Sequence, residues 1–247
     1  MARKRHLTKV LRLVCSIFAS IRLGIFCCLV VTLAAITAFP QGQTNPIEEA
    51  VNEEAVNKES VERIQKGDNE IGLWGGISFD APTFIGKTPN VKFGSFAFRY
   101  GRVLAAHKTV AFEWTIDAVP LAIISNDRFT LVPTSLGGFV VQKERKSVYG
   151  AGLSPIGLKF NFRRQHRVQP FAGASGGFLY FREDVPVSGA NRFTFTFDFG
   201  GGIQIVNSSR RTFTIGYKFQ HMSNGGRSSI NPGVDAQLIY AGFSIFR

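Results

Sequence analysis

Cysteine is missing from most of this chain. All three cysteines, Cys15, Cys27 and Cys28, lie within the first 28 residues. The rest of the sequence therefore has no disulfide framework, no thiolate nucleophile and no cysteine-ligated metal site. Histidine is also scarce, with four in the whole chain, and no group of His, Asp and Glu shows metal-ligand spacing. We therefore predict neither a bound metal nor a cofactor.

A long apolar run is lacking too, and the formal net charge of +12 is reduced by half once residues 1–38 are set aside. The longest apolar stretch, Leu23–Ala38, has 16 residues, fewer than the roughly 20 of a membrane-spanning helix. It follows a basic region (1–22) and ends in small side chains, so residues 1–38 are typical of a secretory signal peptide. An uncleaved anchor helix is the alternative. Residues 39–247 hold 23 basic and 17 acidic side chains. That balance gives no indication of nucleic-acid binding, although it suits anionic lipid headgroups.

Residues 39–69 differ from both flanks. Pro40, Gly42 and Pro46 interrupt regular structure, and residues 47–66 contain six glutamates beside a weak apolar stripe of helical spacing. We interpret this segment as an acidic linker or a short periplasmic helix. A helix that binds a partner is the alternative.

From Glu70 onward, polar and apolar residues alternate with the period of a β-strand. Along residues 193–199, four phenylalanines share one face, and two threonines and an aspartate share the other. Eight such strands are predicted, at residues 70–80, 91–104, 109–125, 148–164, 168–183, 192–206, 211–224 and 234–247. Their connections are alternately short and long, which is typical of an outer-membrane barrel with periplasmic short turns. The sequence predicts an all-β fold, an eight-stranded antiparallel transmembrane β-barrel over residues 70–247, with a long loop at 126–147.

The volume of such a barrel decides which face meets lipid. An eight-stranded barrel has an interior just wide enough to be filled by side chains, too small for the 24 phenylalanines of this chain. The apolar face must then point into hydrocarbon, and the polar face must fill the lumen, where opposite charges pair. The predicted lumen residues are Arg99, Glu113, Asp117, Lys159, Arg163, Asp198 and Lys218. A soluble ligand-carrying barrel, with the two faces reversed, is the alternative.

The hairpin at residues 221–235 brings together residue types that can perform nucleophilic catalysis. His221 and Ser223 lie two residues apart and share one face of the seventh strand, and Asp235 opens the eighth. All three have the parity of lipid-facing neighbours, so they project from the outer wall at the extracellular end. A symmetric loop places Ser223 opposite Asp235 and His221 one diagonal step away. Polar residues at that depth are otherwise explained by their nearness to the headgroups.

The same stretch resembles the PagL-type lipid A 3-O-deacylase family of outer-membrane esterases. The residues that carry the resemblance are His221, Ser223, Asn224, Gly226, Asn231, Gly233 and the acid at position 235. Weaker marks are the stretches 70–76 and 99–101. The resemblance covers residues 70–247, but only residues 221–235 are specific. The family has Glu where this chain has Asp235. Because the aspartate side chain is shorter, we expect its hydrogen bond to His221 to be long or water-mediated.

The resemblance implies a role for each of these residues. Ser223 would be the nucleophile, His221 its general base and Asp235 the group that orients His221, and Asn224 and Gly226 would help to form the oxyanion hole. The implied partner is lipid A or lipopolysaccharide of the outer leaflet, and Arg227 is the candidate contact to its phosphate. The implied activity is hydrolysis of an ester-linked acyl chain, at the 3-position. A non-catalytic structural or adhesive barrel, an esterase acting on another membrane lipid and a homodimer all stay open.

Overall fold

A computed structural model describes residues 64–247 except Leu136. The predicted signal peptide and most of the acidic segment at 39–69 lie outside the described residues. The described chain forms eight strands: β1 (Asn69–Ser78), β2 (Lys92–Ala106), β3 (Val110–Pro133), β4 (Phe139–Phe162), β5 (Val168–Phe181), β6 (Phe193–Val206), β7 (Arg211–Ser223) and β8 (Val234–Phe246). In this part of the chain, no helix is long and apolar enough to span a membrane.

The strands form a closed antiparallel barrel. Each strand pairs with its neighbours in sequence, and β1 pairs with β8, from Glu70 opposite Phe246 to Ile77 opposite Ile239. Closure removes the unpaired backbone groups of a sheet edge, which hydrocarbon does not tolerate. The predicted eight-stranded barrel is therefore confirmed.

The prediction of a long loop at residues 126–147 is wrong. β3 and β4 continue as a two-stranded ribbon up to the pair Pro133 and Phe139. The sequence prediction stopped where charged residues interrupt the alternation. In the structure these charges pair across the ribbon, with Asp127 lying 3.0 Å from Lys143 and 3.4 Å from Arg145. Cross-strand ion pairs of this kind support strand pairing in place of apolar contacts.

The two faces of the barrel have the predicted character. Phe98, Phe197 and Ile215 point outward and are each more than half exposed. The lumen holds ion pairs: Arg99 with Asp117 at 2.7 Å, Lys159 with Glu70 at 3.0 Å and with Glu113 at 3.4 Å, and Lys218 with Asp198 at 3.4 Å. Arg163 is the exception among the predicted lumen residues. It lies exposed in the turn after β4 with a φ of 52°, because the strand ends one residue earlier.

The short and long connections lie at opposite ends of the barrel. Residues 107–109, 163–167 and 207–210 form one end, which Ile64 closes by packing, fully buried, against Val103 and Phe246. The other end has the long connections at residues 79–91, 182–192 and 224–233, and beyond them the short turn at 134–138 that joins the two strands of the β3–β4 ribbon. By the general rule for these barrels, short turns are periplasmic. The hairpin at 221–235 is then at the extracellular end.

Candidate active site

The pairing of β7 with β8 determines how the site residues are arranged. The register is constant from Arg211 opposite Ile245 to Met222 opposite Val234, which places His221 directly opposite Asp235. The expectation that Ser223 lies opposite Asp235 was therefore wrong by two residues, which leaves both side chains on the same face. That expectation assumed a symmetric loop. In the structure, β8 begins at Val234, which lies opposite Met222. Ser223 lies beyond the last paired residue of this ladder, at the mouth of the loop.

His221 and Asp235 form a direct pair. The His221 Nδ1 atom lies 2.7 Å from Oδ1 of Asp235. The carboxylate side chain is completely buried, whereas the histidine ring keeps 19% of its surface exposed. The expectation of a long or water-mediated contact is contradicted by this distance. The shorter acid reaches the ring because the two residues are direct cross-strand neighbours, whose Cβ atoms lie roughly 5 Å apart in antiparallel pairs.

Asp235 is buried although its parity points outward. The cover is the connection at residues 79–91, whose backbone N–H groups of Ile85 and Gly86 donate to Oδ2 of Asp235 over 2.7 and 3.0 Å. Sequence reasoning missed this contribution because it comes from main-chain atoms about 150 positions away. The glycine at position 86 is the feature of the sequence that reflects this contact. A Cβ atom on residue 86 would lie 2.8 Å from the Val234 nitrogen, so no larger residue fits there.

Ser223 shares the outward face of β7 with His221 and is partly exposed. Across the neighbouring ladder it lies opposite Phe195, and His221 lies opposite Phe197. No hydrogen bond joins the Ser223 hydroxyl to His221 or to any other residue that the structure describes. Because Nδ1 of His221 faces the carboxylate, Nε2 is the ring nitrogen left to accept a proton.

The loop at 224–233 is held together by the residues predicted to bind an oxyanion. The Asn224 amide nitrogen Nδ2 donates to the Ile230 carbonyl at 2.9 Å and to the Ala190 carbonyl at 3.4 Å. Its backbone N–H donates to Oδ1 of Asn231 at 3.0 Å, and its own Oδ1 accepts the Gly226 N–H at 2.9 Å. In this arrangement every N–H group of Asn224 and Gly226 already has an acceptor. Both residues support the loop.

Arg227 lies exposed on the same loop. Its guanidinium carbon is 4.9 Å from the centre of the Phe193 ring, a cation–π contact that holds the side chain against the barrel wall. No carboxylate forms an ion pair with it among residues 64–247. A cation without an acidic partner, beside the mouth of the site, is free to contact an anion.

The remaining histidines of the described chain, His107 and His166, are exposed in the short turns at the other end of the barrel. Across residues 64–247, omitting Leu136, no group of three or more His, Cys, Asp or Glu is placed to hold a metal ion. His221 and Asp235 form a hydrogen-bonded pair, and Ser223 lies on the same face two residues from His221. A base, a hydroxyl nucleophile and an orienting acid are drawn from residue types of this kind.

Comparisons with known proteins place this chain in a family. A sequence model of the family described as lipid A 3-O-deacylase (PagL) matches residues 107–244. No curated protein sequence matches the chain significantly. The solved structure of the outer-membrane enzyme PagL is 13% identical, with a TM-score of 0.43, and the alignment covers 70% of this chain and 97% of that one.

Two further solved structures are similar at the same level. Neisserial surface protein A (NspA) is 14% identical, with a TM-score of 0.41 and coverage of 73% of this chain and 99% of that one. The outer-membrane protein OprG from Pseudomonas aeruginosa is 12% identical, with a TM-score of 0.37 and coverage of 74% and 95%. The family match spans more than half of this chain and includes His221, Ser223 and Asp235. This outer-membrane protein belongs to the PagL family of lipid A 3-O-deacylases.

Proposed function

We propose that this protein hydrolyses an ester-linked acyl chain of lipid A, at the 3-position, with Ser223 as its nucleophile. The observation that supports this best is the 2.7 Å contact between His221 Nδ1 and the buried carboxylate of Asp235. A carboxylate in that place keeps the proton on Nδ1 and stabilises the imidazolium that forms during the reaction. Nε2 is then the base for Ser223, two residues along the same face.

The reaction follows from these positions. The Ser223 hydroxyl turns toward Nε2 of His221 and gives up its proton while its oxygen attacks the ester carbonyl carbon. The tetrahedral intermediate collapses, and the sugar hydroxyl leaves with the proton held by His221. A water molecule, deprotonated by the same nitrogen, then attacks the acyl-enzyme. The fatty acid is released and Ser223 regains its hydroxyl.

The set of oxyanion donors that the resemblance implies, Asn224 and Gly226, needs one addition. For Asn224 or Gly226 to bind the oxyanion, each would have to exchange a hydrogen bond within the loop for one to the substrate. The Gly225 N–H lies between them and has no acceptor in the described part of the chain. We include it as a candidate donor. A side chain is excluded at Gly225, because its φ is +64° and a Cβ would lie 2.8 Å from the Phe195 ring.

The substrate would approach from the outer leaflet, through the wall of the barrel. Phe195 and Phe197 line the β6 side of Ser223 and His221, and both are about half exposed. An acyl chain lying along them remains in an apolar environment, and its ester is then at the depth of Ser223. Binding selectivity would come from the headgroup, with Arg227 as the phosphate contact.

Mass spectrometry of lipid A tests this proposal. Cells that express the protein should contain lipid A that has lost one ester-linked acyl chain, and analysis of the product should place the loss at the 3-position. Cells that express the Ser223→Ala variant at an equal level in the outer membrane are the matched control and should contain intact lipid A. Unchanged lipid A with the parent protein would contradict the proposal. Acyl loss from phospholipid instead would indicate an esterase for another membrane lipid.

A further inference from the structure

The connection between β1 and β2, residues 79–91, is bonded along the start of β8. Besides the two N–H groups on Asp235, the Lys87 N–H donates to the Pro232 carbonyl over 2.6 Å. The Thr88 hydroxyl donates to the Gly233 carbonyl over 2.8 Å. We call residues 79–91 the strap. Since four of its hydrogen bonds end on residues 232–235, the strap and the proposed acid are held as one unit.

The packing between the strap and the site leaves no spare space. A Cβ on Gly86 would lie 2.8 Å from the Val234 nitrogen and 2.9 Å from the Gly233 carbonyl carbon. A Cβ on Gly233, whose φ is +64°, would lie 3.2 Å from Cε1 of His221 and 3.3 Å from the Gly86 Cα. The strap and the loop therefore pack closely, and the loop in turn approaches the histidine ring. A displacement of the strap would lengthen its hydrogen bonds to Asp235 or move the carboxylate.

The other side of the strap is apolar and faces away from the barrel. Phe79, Phe84 and Ile85 are 70%, 65% and 62% exposed. The Phe84 ring lies 6.1 Å from Phe219, which lies 5.3 Å from Phe199 on the outward face of β6. The exposed surface of the strap thus continues the lipid-facing surface of the barrel. Contiguous apolar surface of this kind is unfavourable in water and favourable against acyl chains.

We propose that the strap contacts the acyl chains of the outer leaflet through Phe84 and Ile85, and that it thereby positions Asp235 through the N–H groups of Ile85 and Gly86. Ile85 takes part in both contacts, with its side chain in lipid and its N–H on the carboxylate. Ile85 and Gly86 are positioning residues, because they act on the reaction through Asp235 and His221. The bilayer holds the strap against β8, and the strap holds the acid against Nδ1. The catalytic half of this inference rests on the proposed function, whereas the lipid contact does not.

Fluorescence quenching in bilayers tests the lipid contact. In the Phe84→Trp variant, the emission added to that of Trp74 and Trp114 should be quenched by lipids brominated near the top of their acyl chains and should resist aqueous iodide. Phe129→Trp is the matched control, since Phe129 is 67% exposed but lies on the β3–β4 ribbon beyond residue 126. Its emission should be quenched by iodide. The same iodide quenching at Phe84→Trp would overturn the lipid contact.

A glycine pair tests the positioning. Gly86→Ala should lower kcat roughly 10- to 100-fold, the range expected when hydrogen bonds to a charged group are lost, with KM unchanged. It should also move the NMR signal of the His221 Nδ1 proton, which reports the contact with Asp235 without any turnover. Gly75→Ala is the control, because a Cβ there meets its nearest neighbours at 3.8 Å, and it should change neither. A parent-like kcat and an unmoved proton signal in Gly86→Ala would overturn the positioning.

A polar substitution on the strap tests whether the lipid contact is what positions Asp235. Phe84→Ser with Ile85→Ser should lower kcat in bilayers and move the His221 proton signal in the direction that Gly86→Ala moves it. Phe129→Ser should do neither. If the parent protein proves inactive, the proposed function fails alone, and the proton signal still decides whether the strap acts on the pair. A double variant with the parent's proton signal would show that lipid contact does not position the acid.

Discussion

Two sets of buried carboxylates in this barrel are held by different partners. In the lumen, each carboxylate faces a permanent cation: Asp117 receives two hydrogen bonds of 2.7 Å from Arg99, and Glu70 and Glu113 share Lys159. On the outer wall, Asp235 is as deeply buried. Its partners among the described residues are a histidine ring and two backbone N–H groups.

The two kinds of partner suit different roles: the lumen ion pairs stabilise the barrel, whereas the histidine partner of Asp235 is suited to proton transfer. Lys and Arg remain charged near neutral pH, so the lumen carboxylates lie beside cations that hold them in place and fill the barrel. Histidine changes its charge in the physiological range. A carboxylate whose only side-chain partner is a histidine can stabilise a positive charge that appears during a reaction and then disappears. Backbone N–H groups fix its position without adding a competing cation.

The largest expected effect is the loss of the proposed nucleophile or base. Ser223→Ala and His221→Ala should each lower the deacylation rate by roughly 10³- to 10⁶-fold, because nucleophile and base act as one unit. The double variant should be no worse than either single variant. The rate is measured on lipid A in bilayers with purified protein, and circular dichroism checks that the barrel is folded. A Ser223→Ala protein with parent-like activity would exclude Ser223 as the nucleophile.

Removing the charge of Asp235 should have the next largest effect. Asp235→Asn loses the charge that favours the imidazolium and the correct tautomer, so kcat should fall by about 10²- to 10⁴-fold. Asp235→Glu keeps the charge but has to displace the strap, and its rate should lie between those of the parent and Asp235→Asn. Asp198→Asn in the lumen is the control and should leave kcat unchanged. Equal rates for Asp235→Asn and the parent would separate the acid from the catalytic unit.

A substitution in the lumen should lower the stability of the protein and leave its turnover unchanged. Lys159→Met leaves Glu70 and Glu113 buried without their cation, which should lower the free energy of unfolding by about 3–5 kcal/mol. Activity per folded molecule should be unchanged. Lys143→Met is the control, since Lys143 is 60% exposed beside Asp127 and such surface pairs contribute little. Urea unfolding in lipid vesicles measures both variants. A catalytic defect in folded Lys159→Met protein would remove the distinction between the two sets.

The strands were predictable where alternation is uninterrupted. Phenylalanine and threonine alternate through β6, and there the prediction begins within one residue of the observed start at Phe193. It failed over residues 126–133, where Asp127 and Arg128 break the alternation, although Asp127 pairs with Lys143 and Arg145 across the ribbon. A pairing between distant charges becomes visible only when the register is known. Alternation alone does not specify register beyond the neighbouring turn.

The site was predictable as far as it depends on one hairpin. His221, Ser223 and Asp235 lie in one short stretch, and strand parity indicates their common face. The strap was out of reach, because its N–H groups belong to no particular side chain and approach Asp235 from about 150 positions away. The occupied donors of Asn224 and Gly226 were equally hidden, since the choice between supporting a loop and binding an oxyanion depends on local geometry.

The smallest expected effect concerns Arg227, the one cation near the site whose proposed partner is the substrate. Its side chain is exposed and held over Phe193 at 4.9 Å. An exposed ion pair contributes up to about 1 kcal/mol, so Arg227→Gln should raise KM for phosphorylated lipid A about fivefold or less and leave kcat unchanged. With dephosphorylated lipid A, parent and variant should have equal KM. Arg211→Gln is the control, because Arg211 is an exposed arginine at the opposite end of β7. A KM that rises equally for both lipids would show that Arg227 supports the loop and does not bind phosphate.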